Sequence, residues 1–181
     1  MDIVDFTVKS VTPLLQNNPA SMLTPKTATA KAKSIPTPAE EAESGVYRAE
    51  DGTIYHPAAA FRRALISAAT NRKIGKTAAT SIVKGSVFQL TERCPLVDPD
   101  SGKSIESYSI DVRRCVLGGK TAVVRARPRI ERWMTTIEFE YDPDFISADA
   151  LRELLVTAGQ RVGIGNYRPE KAGIFGRFQV A

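Results

Sequence analysis

The stretch RWMTTIEFEYDPDFISADALRELLVTAGQRV, residues 132–162, changes its hydrophobic period once, and this change predicts a strand followed by a helix. In the first ten residues, apolar and aromatic side chains alternate with polar ones, as in a half-buried strand. From about 147 to 161 the apolar side chains recur at i, i+3, i+4 and i+7, which is typical of a helix with one buried face. The strand face consists of Trp133, Ile137, Phe139 and Tyr141, and the helix stripe of Leu151, Leu154, Leu155, Ala158 and Val162.

The same two periods occur on both sides of this stretch. Residues 3–11 alternate as in a half-buried strand, with Val4, Phe6 and Val8 on one face. A helix is predicted to begin at His56-Pro57, a further strand over 82–91, and a short strand at the C-terminal GRFQVA. Apart from one inserted hairpin, the order is strand, helix, strand, strand, helix, strand. This βαββαβ order predicts an α+β ferredoxin-like or RRM-like fold, whose helices cover one sheet face and leave the other free for a ligand.

The length of 181 residues suits a single domain over residues 1–181. Residues 24–44 are rich in Thr, Ala, Lys, Pro and Glu, and Ile35 is their only large apolar side chain. Such a composition buries too little surface to offset its chain entropy, so we expect a flexible loop or arm there.

The inserted element, a β-hairpin over residues 106–130, carries arginines on one face. Its strands are predicted to meet at a two-residue Gly118-Gly119 turn. With a two-residue turn, Arg125 is predicted to pair with Val112 on the opposite strand. In this register Arg114 lies on the same face as Arg125, Arg127 and Arg129. An anionic partner would relieve the repulsion among these cations, although acidic side chains from elsewhere in the fold are an alternative. The candidate nucleic-acid-binding residues of the hairpin are Arg114, Arg125, Arg127 and Arg129.

Composition excludes several classes of protein. With 43% hydrophobic and 25% charged residues, the chain is not wholly disordered. No apolar run approaches the ~18 residues of a membrane span, and the acidic N-terminus lacks the apolar run of a secretory signal. The two cysteines, Cys94 and Cys115, are too few and too distant for a disulfide scaffold or a CxxC zinc site and are expected in the apolar core. We therefore expect a cytoplasmic protein with no metal, no cofactor and no membrane partner.

The positive charge is concentrated in the middle of the chain. The net charge is +5, and residues 45–131 hold 15 basic and 8 acidic residues, whereas the segments on either side are slightly negative. Concentrated positive charge favours a polyanionic partner by neutralising phosphates and releasing counterions. A solvated basic face is the alternative interpretation.

The segment GQRVGIGNYRPEKAGIFGRF, residues 159–178, holds five of the 12 glycines, interleaved with basic and aromatic residues. Glycines let backbone N–H groups approach a phosphate, cations neutralise it, and aromatic rings stack on bases. The alternative is a structural loop whose aromatic rings point into the core. The glycines expected to approach a phosphate are Gly163, Gly165, Gly173 and Gly176.

Two nucleotide-binding motifs are rejected. Gly163-Ile164-Gly165 follows a helix, whereas a dinucleotide-binding turn opens a helix after a strand. Gly75-Lys76-Thr77 is similar to the end of a P-loop, but Thr70 occupies the position where that motif requires glycine. His56, the only histidine, could serve as a general acid and base on an RNA 2′-hydroxyl, or be a partly buried residue at the helix entry.

Together these segments resemble the RAMP superfamily, the ferredoxin-like proteins that form the RNA-coating backbone of CRISPR effector complexes. The first strand and its continuation SVTPLLQNN are similar to the opening strand of that family. The segment IYHPAAAFRRALISAA is similar to its basic first helix, and the glycine-rich segment ending in GIFGRFQV to its loop before the last strand. The hairpin would correspond to an inserted thumb.

The resemblance implies that single-stranded nucleic acid, RNA in preference to DNA, lies across the first-helix entry and the glycine-rich loop. It implies a non-catalytic subunit of a cytoplasmic antiviral ribonucleoprotein, with copies of itself stacked along the strand and other effector subunits as further partners. Tyr167 and Phe175 would stack on bases or shape the loop. The implied phosphate-binding residues are Arg62, Arg63, Lys73, Lys76, Arg161, Arg168, Lys171 and Arg177.

Other functions stay open at the level of sequence. The same surface would suit a phage-type single-stranded DNA-binding or annealing protein, and a relative from a phage or mobile element in place of a CRISPR component. A metal-independent RNA endonuclease using His56 is a further alternative. A scaffold protein that binds an acidic protein through the basic hairpin is the last.

Overall fold

A computed structural model describes residues 1–22, 36–117, 119 and 121–181. The helices are α1 (Pro38–Gly45), α2 (Ala58–Ala68), α3 (Ala79–Ser86) and α4 (Ala148–Thr157). The strands are β1 (Asp2–Ser10), β2 (Leu14–Leu15), β3 (Tyr55–Pro57), β4 (Lys73–Ile74), β5 (Thr77–Ala78), β6 (Val87–Gln89), β7 (Arg93–Pro95), β8 (Ser109–Leu117), β9 (Thr121–Ile130), β10 (Met134–Tyr141) and β11 (Phe178–Val180).

The central sheet has four antiparallel strands in the order β11-β1-β10-β6. With α2 between β1 and β6 and α4 between β10 and β11, this is the strand order of a βαββαβ ferredoxin-like unit. The α+β class predicted from the sequence is therefore confirmed.

The core lies between this sheet and helices α2 and α4. Phe61 from α2 packs edge-on against Trp133 and Phe178, with ring centroids 6.5 and 5.7 Å away, and all three rings are buried. Phe6 and Val8 of β1 and Ile137 and Phe139 of β10 point into the same core, as the alternation predicted. Each fully buried side chain of this size contributes about 1.5–3 kcal/mol of transfer free energy.

The first half of the segment predicted as a strand over 82–91 is helical. Helix α3 ends at Ser86, and only Val87–Gln89 form a strand. The buried side chains of α3 are Ala79, Ile82, Val83 and Ser86, which have helical spacing. The β-branched pair Ile82-Val83 favoured a strand locally, and packing of the segment against α2 overrides that preference.

The last part of the segment predicted as a flexible loop, residues 24–44, is helical in the structure. Residues 24–35 of that segment lie outside the described part of the chain. Helix α1 begins after Thr37, whose side chain accepts from the Glu40 N–H while the Glu40 carboxylate accepts from the Thr37 N–H at 2.7 Å. This capping box satisfies the first turn of the short helix. Farther along, the Glu41 carboxylate accepts from the backbone N–H of Ala126 and from Arg125, so α1 is held against β9.

The hairpin strands β8 and β9 form a second sheet with β2, in the order β2-β9-β8. The predicted register is wrong by one residue: Leu117 pairs with Thr121, so three residues connect the strands, of which Gly118 and Lys120 lie outside the described part. Arg125 consequently faces Arg113, and Arg114 faces Val124. Arg113 therefore lies on the arginine face, and Arg114 on the opposite one.

No helix in the described ranges has the length and apolar character of a membrane span. Nor do residues 1–22, 36–117, 119 and 121–181 contain a group of three or more His, Cys, Asp or Glu side chains placed to hold a metal ion.

Candidate nucleic-acid interface

A cleft with a volume of about 290 Å³ lies where the sequence predicted the interface, between the start of α2 and the glycine-rich loop. Pro57 at the end of β3 and Arg63 of α2 line one side, and Gly163, Gly165 and Arg168 of the loop line the other. We call this feature the α2–loop cleft. It brings together the two segments that carry the family resemblance.

The glycine-rich loop is fixed by backbone hydrogen bonds to the chain that follows β1. After α4 the chain makes a wider helical turn over Ala158–Val162. The Asn166 N–H donates to the Leu15 carbonyl at 2.8 Å, and the Gly176 N–H donates to the Pro13 carbonyl at 2.7 Å. The loop side of the cleft is therefore part of the folded core.

Three of the four glycines predicted to approach a phosphate serve the packing of the loop itself. The N–H groups of Gly163, Gly173 and Gly176 donate to the carbonyls of Ala158, Arg168 and Pro13. A Cβ on Gly173 would lie 1.7 Å from the Tyr167 carbonyl oxygen, and one on Gly176 would lie 1.8 Å from that of Ile164. Of the predicted set, only the Gly165 N–H has no acceptor within the described ranges.

The two loop aromatics hold the hairpin instead of forming an open stacking platform. Phe175 is buried, and the guanidinium groups of Arg113 and Arg129 lie 4.7 and 5.7 Å from its ring centroid. Arg113 also lies 5.0 Å from the Tyr167 ring centroid, and the Tyr167 hydroxyl is 2.8 Å from Cys115 Sγ. The hydrogen bond with Cys115 raises the pKa of Tyr167. Of the two roles predicted for Phe175, its burial fits the shaping of the loop and leaves little surface for base stacking.

The cysteines differ in their surroundings. Cys94 is buried in the core as predicted, and burial raises the pKa of its thiol to about 12. Cys115 is only half-buried and contacts the loop through Tyr167, because it lies on the hairpin face that meets the loop.

Most hairpin arginines have acidic partners within the chain. Asp111 binds Arg113 through two oxygens at 2.5 and 2.6 Å, Glu41 binds Arg125 at 3.0 Å, and Glu131 binds Arg129 at 2.8 Å. The guanidinium beside Asp111 lowers the pKa of that carboxyl. The inference that these cations require an external anion therefore does not hold for three of the four on this face.

Arg127 is the exception on the arginine face. It forms no ion pair within the described ranges, and its Nε is buried without a hydrogen-bond partner. Arg114, which the sequence placed beside it, is exposed on the opposite face among Val112, Val116 and Val124.

The remaining basic candidates fall into three groups. Arg62 serves the fold, donating to the carbonyls of Val87 and Lys84 at 2.7 and 2.9 Å. Arg63 is exposed and lines the cleft, together with Arg168, which binds Glu170 and the Gly165 carbonyl. The others are outside the cleft: exposed Lys73, Lys76, Arg161 and Lys171, and half-buried Arg177.

His56, a candidate from the sequence, lines the cleft, and Gln16, which the sequence did not single out, lies behind it. Gln16 is fully buried; its Oε1 accepts from the Tyr47 N–H and its Nε2 donates to the Tyr55 carbonyl. His56, 3% exposed, lies beside it, and burial lowers the pKa of His56 to about 3. His56 is therefore neutral near pH 7, which does not suit the general-acid role that the endonuclease alternative needs.

The comparisons with known proteins bear on the fold. No protein-family model matches the chain, and no curated protein matches it. A chain of a solved structure, the cryo-EM structure of "the Type III-B Cmr-beta bound to cognate target RNA", matches with a TM-score of 0.62 at 16% identity. The match covers 99% of the present chain and 58% of the other, so this chain spans less than two thirds of its neighbour's length. The chain therefore shares its fold with a chain of this Type III-B Cmr-beta structure.

The face of the four-stranded sheet away from the helices is acidic. Asp5 of β1 lies directly opposite Glu138 of β10, and Glu140 lies farther along the same strand face. This face was expected to be free for a ligand, but its charge opposes a nucleic acid. The α2–loop cleft and the exposed cations near it are thus the better candidate interface.

The close packing of the loop can be tested with a pair of glycine variants. Gly173→Ala should lower the free energy of unfolding by about 3 kcal/mol, because the new methyl group meets the Tyr167 carbonyl. Gly85→Ala is the control. Gly85 lies in α3, and no atom lies within 4 Å of the position that the Cβ of an alanine would take, so this change should be neutral or stabilise the fold by up to about 1 kcal/mol. Urea unfolding measures both, and equal stability of the two variants would contradict this packing.

Burial of neutral His56 predicts a pH dependence of stability. In the unfolded chain His56 binds a proton below about pH 6.5. In the folded chain the pKa of His56 is about 3, so the proton binds only near or below pH 3. The free energy of unfolding should therefore fall as the pH drops through that window, by up to about 1.4 kcal/mol per pH unit from this group. His56→Gln lacks the contribution, so its stability difference from the native chain should change with pH in urea unfolding. Parallel pH profiles for the two proteins would refute the prediction.

Proposed function

We propose that this chain is a non-catalytic RNA-binding subunit of a CRISPR-type effector ribonucleoprotein that acts in the cytoplasm. The observation that carries the proposal is the RAMP-like fold, shared over 99% of the chain with a protein from the structure of the Type III-B Cmr-beta bound to cognate target RNA. Single-stranded RNA then passes over the α2–loop cleft, with its phosphates near the exposed Arg63 and the half-buried Arg168.

The charges around the cleft support binding of a polyanion. Arg63 is exposed, and no acidic side chain binds it within the described ranges. Arg168 forms an ion pair with Glu170, with 2.6 Å between a guanidinium nitrogen and Oε2. About a quarter of each of the two side chains is exposed. Because a partly exposed ion pair contributes about 0–1 kcal/mol, exchanging the Glu170 carboxylate for a phosphate costs little.

The distribution of charge also supports stacking of copies along the strand. One side of the molecule is the acidic sheet face of Asp5, Glu138 and Glu140, whereas Lys73, Lys76 and Arg161 are exposed elsewhere. Opposite charges on different faces favour a head-to-tail contact between copies. Such a contact repeats as long as the strand provides sites.

The binding experiment uses labelled RNA and DNA of one sequence, about 35 nucleotides long, titrated across a salt series with particle size followed in parallel. We expect RNA to bind more tightly than DNA, with a steep loss of affinity as salt increases and with particles that grow in regular steps. Preference for DNA would favour the phage-type alternative. Binding to neither strand at low salt would overturn the proposal.

The role of the cleft is tested by removing its unpaired cation. Arg63→Ala should weaken RNA binding several-fold and reduce the salt slope by about 0.7, the value for one phosphate contact on a single strand. Arg152→Ala is the matched control, since Arg152 is also exposed on a helix but does not line the cleft. Equal effects of the two variants would mean that the cleft does not contact the strand.

A further inference from the structure

The imidazole of His56 lines the α2–loop cleft although it is almost completely enclosed. Only 3% of the residue is exposed. Its ring packs edge-on against Tyr47 and Phe61, with centroids 5.7 and 6.1 Å away, and its backbone is paired with Cys94 in the β3–β7 ladder. The ring is therefore held in one orientation before any ligand binds.

The hydrogen bonds of Gln16 fix the tautomer of that ring. A backbone N–H can only donate and a backbone carbonyl can only accept, so the contacts with Tyr47 and Tyr55 identify Oε1 and Nε2 of Gln16 without ambiguity. The Gln16 Nε2 lies 3.4 Å from His56 Nδ1 and presents a donor to it. Nδ1 is thus the acceptor of the neutral ring, and the proton is on Nε2.

The Nε2–H group has no hydrogen-bond acceptor in the described part of the chain, and it is not among the buried side-chain atoms left without a partner, so it is open to solvent from the cleft. Gln16 is not among the cleft-lining side chains, so the ring edge left for the cleft is the one that carries Nε2. In the free protein water can accept from this group, and an acceptor oxygen of a bound ligand would take the place of that water. Besides the neutral imidazole, the cleft is lined within the described ranges by three charged side chains, those of Arg63, Arg168 and Glu170.

We propose that the α2–loop cleft binds one nucleotide of the strand and that His56 Nε2–H donates a hydrogen bond to an oxygen of it, either the ribose 2′-hydroxyl or a phosphate oxygen. This inference rests on the proposed RNA-binding function and adds a recognition residue to it. The cleft volume of about 290 Å³ lies at the lower end of small-ligand sites, which suits a single nucleotide. Arg63 binds the adjacent phosphate.

The binding test compares the native chain with His56→Phe, which keeps an aromatic ring and removes the donor. We expect the variant to bind RNA about tenfold more weakly, the effect of one hydrogen bond. Loss for RNA but not for DNA of the same sequence identifies the 2′-hydroxyl as the acceptor, and equal loss for both identifies a phosphate. A folded variant that binds both strands as tightly as the native chain overturns the inference.

A second measurement avoids the risk that the variant misfolds. Because His56 is the only histidine, selective ¹⁵N-histidine labelling of the native chain gives the signals of one imidazole. On adding RNA, the Nε2–H proton should shift and become protected from exchange with water, while Nδ1 keeps its unprotonated signal. RNA binding with no change at Nε2 refutes the role of His56 but leaves the RNA-binding function intact. Absence of RNA binding by the native chain is instead the failure of that function.

Discussion

The short segment Pro13–Leu15 connects β1, the hairpin sheet and the glycine-rich loop, the three parts of the molecule on which the candidate site depends. Leu14 and Leu15 are fully buried and pair with Ile130 and Arg129 of β9, which attaches the hairpin sheet. The carbonyls of Pro13 and Leu15 accept from the N–H groups of Gly176 and Asn166, which attaches the glycine-rich loop. Because the segment continues directly from β1, both the hairpin and the loop are positioned by the first strand of the core.

This arrangement explains why the loop contains so many glycines. The loop passes close to its own backbone and to that of residues 13–15, so that side chains at Gly173 and Gly176 would overlap carbonyl oxygens. A phosphate-binding loop and a closely packed loop both require glycine, for the approach of an anion in one case and of a carbonyl in the other. The sequence pattern is the same, and only the partners of the N–H groups distinguish them.

The parts of the fold with a clear period could be predicted from the sequence, and those that depend on distant contacts could not. Strands β1 and β10 and helix α4 are amphipathic over many residues, and their buried faces were predicted side chain by side chain. Helix α3 is short and rich in β-branched residues, so its local preference pointed the other way. The hairpin register depended on a single residue at the turn, and an error of one exchanges the two faces of a strand.

In the candidate site, too, contacts between residues that are distant in sequence could not be predicted. The cleft between α2 and the loop was predicted because both segments carry the family resemblance. The partners of the hairpin arginines were not predicted, since Glu41 is 84 residues from Arg125 in sequence. The capping-box pattern of Thr37 and Glu40, which marks the start of the helix that carries Glu41, was overlooked within a segment whose composition favoured a loop. Gln16 and His56 meet for a similar reason: 40 residues separate them, and no local pattern relates them.

In the interface that we propose, affinity and recognition have different sources. Exposed cations such as Arg63 attract phosphates in a manner that salt screens, and they contact RNA and DNA alike. A buried neutral imidazole adds no net charge, so its hydrogen bond contributes little to the salt dependence and depends on the position of one acceptor oxygen. Because Gln16, Tyr47 and Phe61 hold the ring in place, little conformational entropy is lost when that bond forms. A single enclosed donor can in this way distinguish strands that the surrounding positive charge attracts equally.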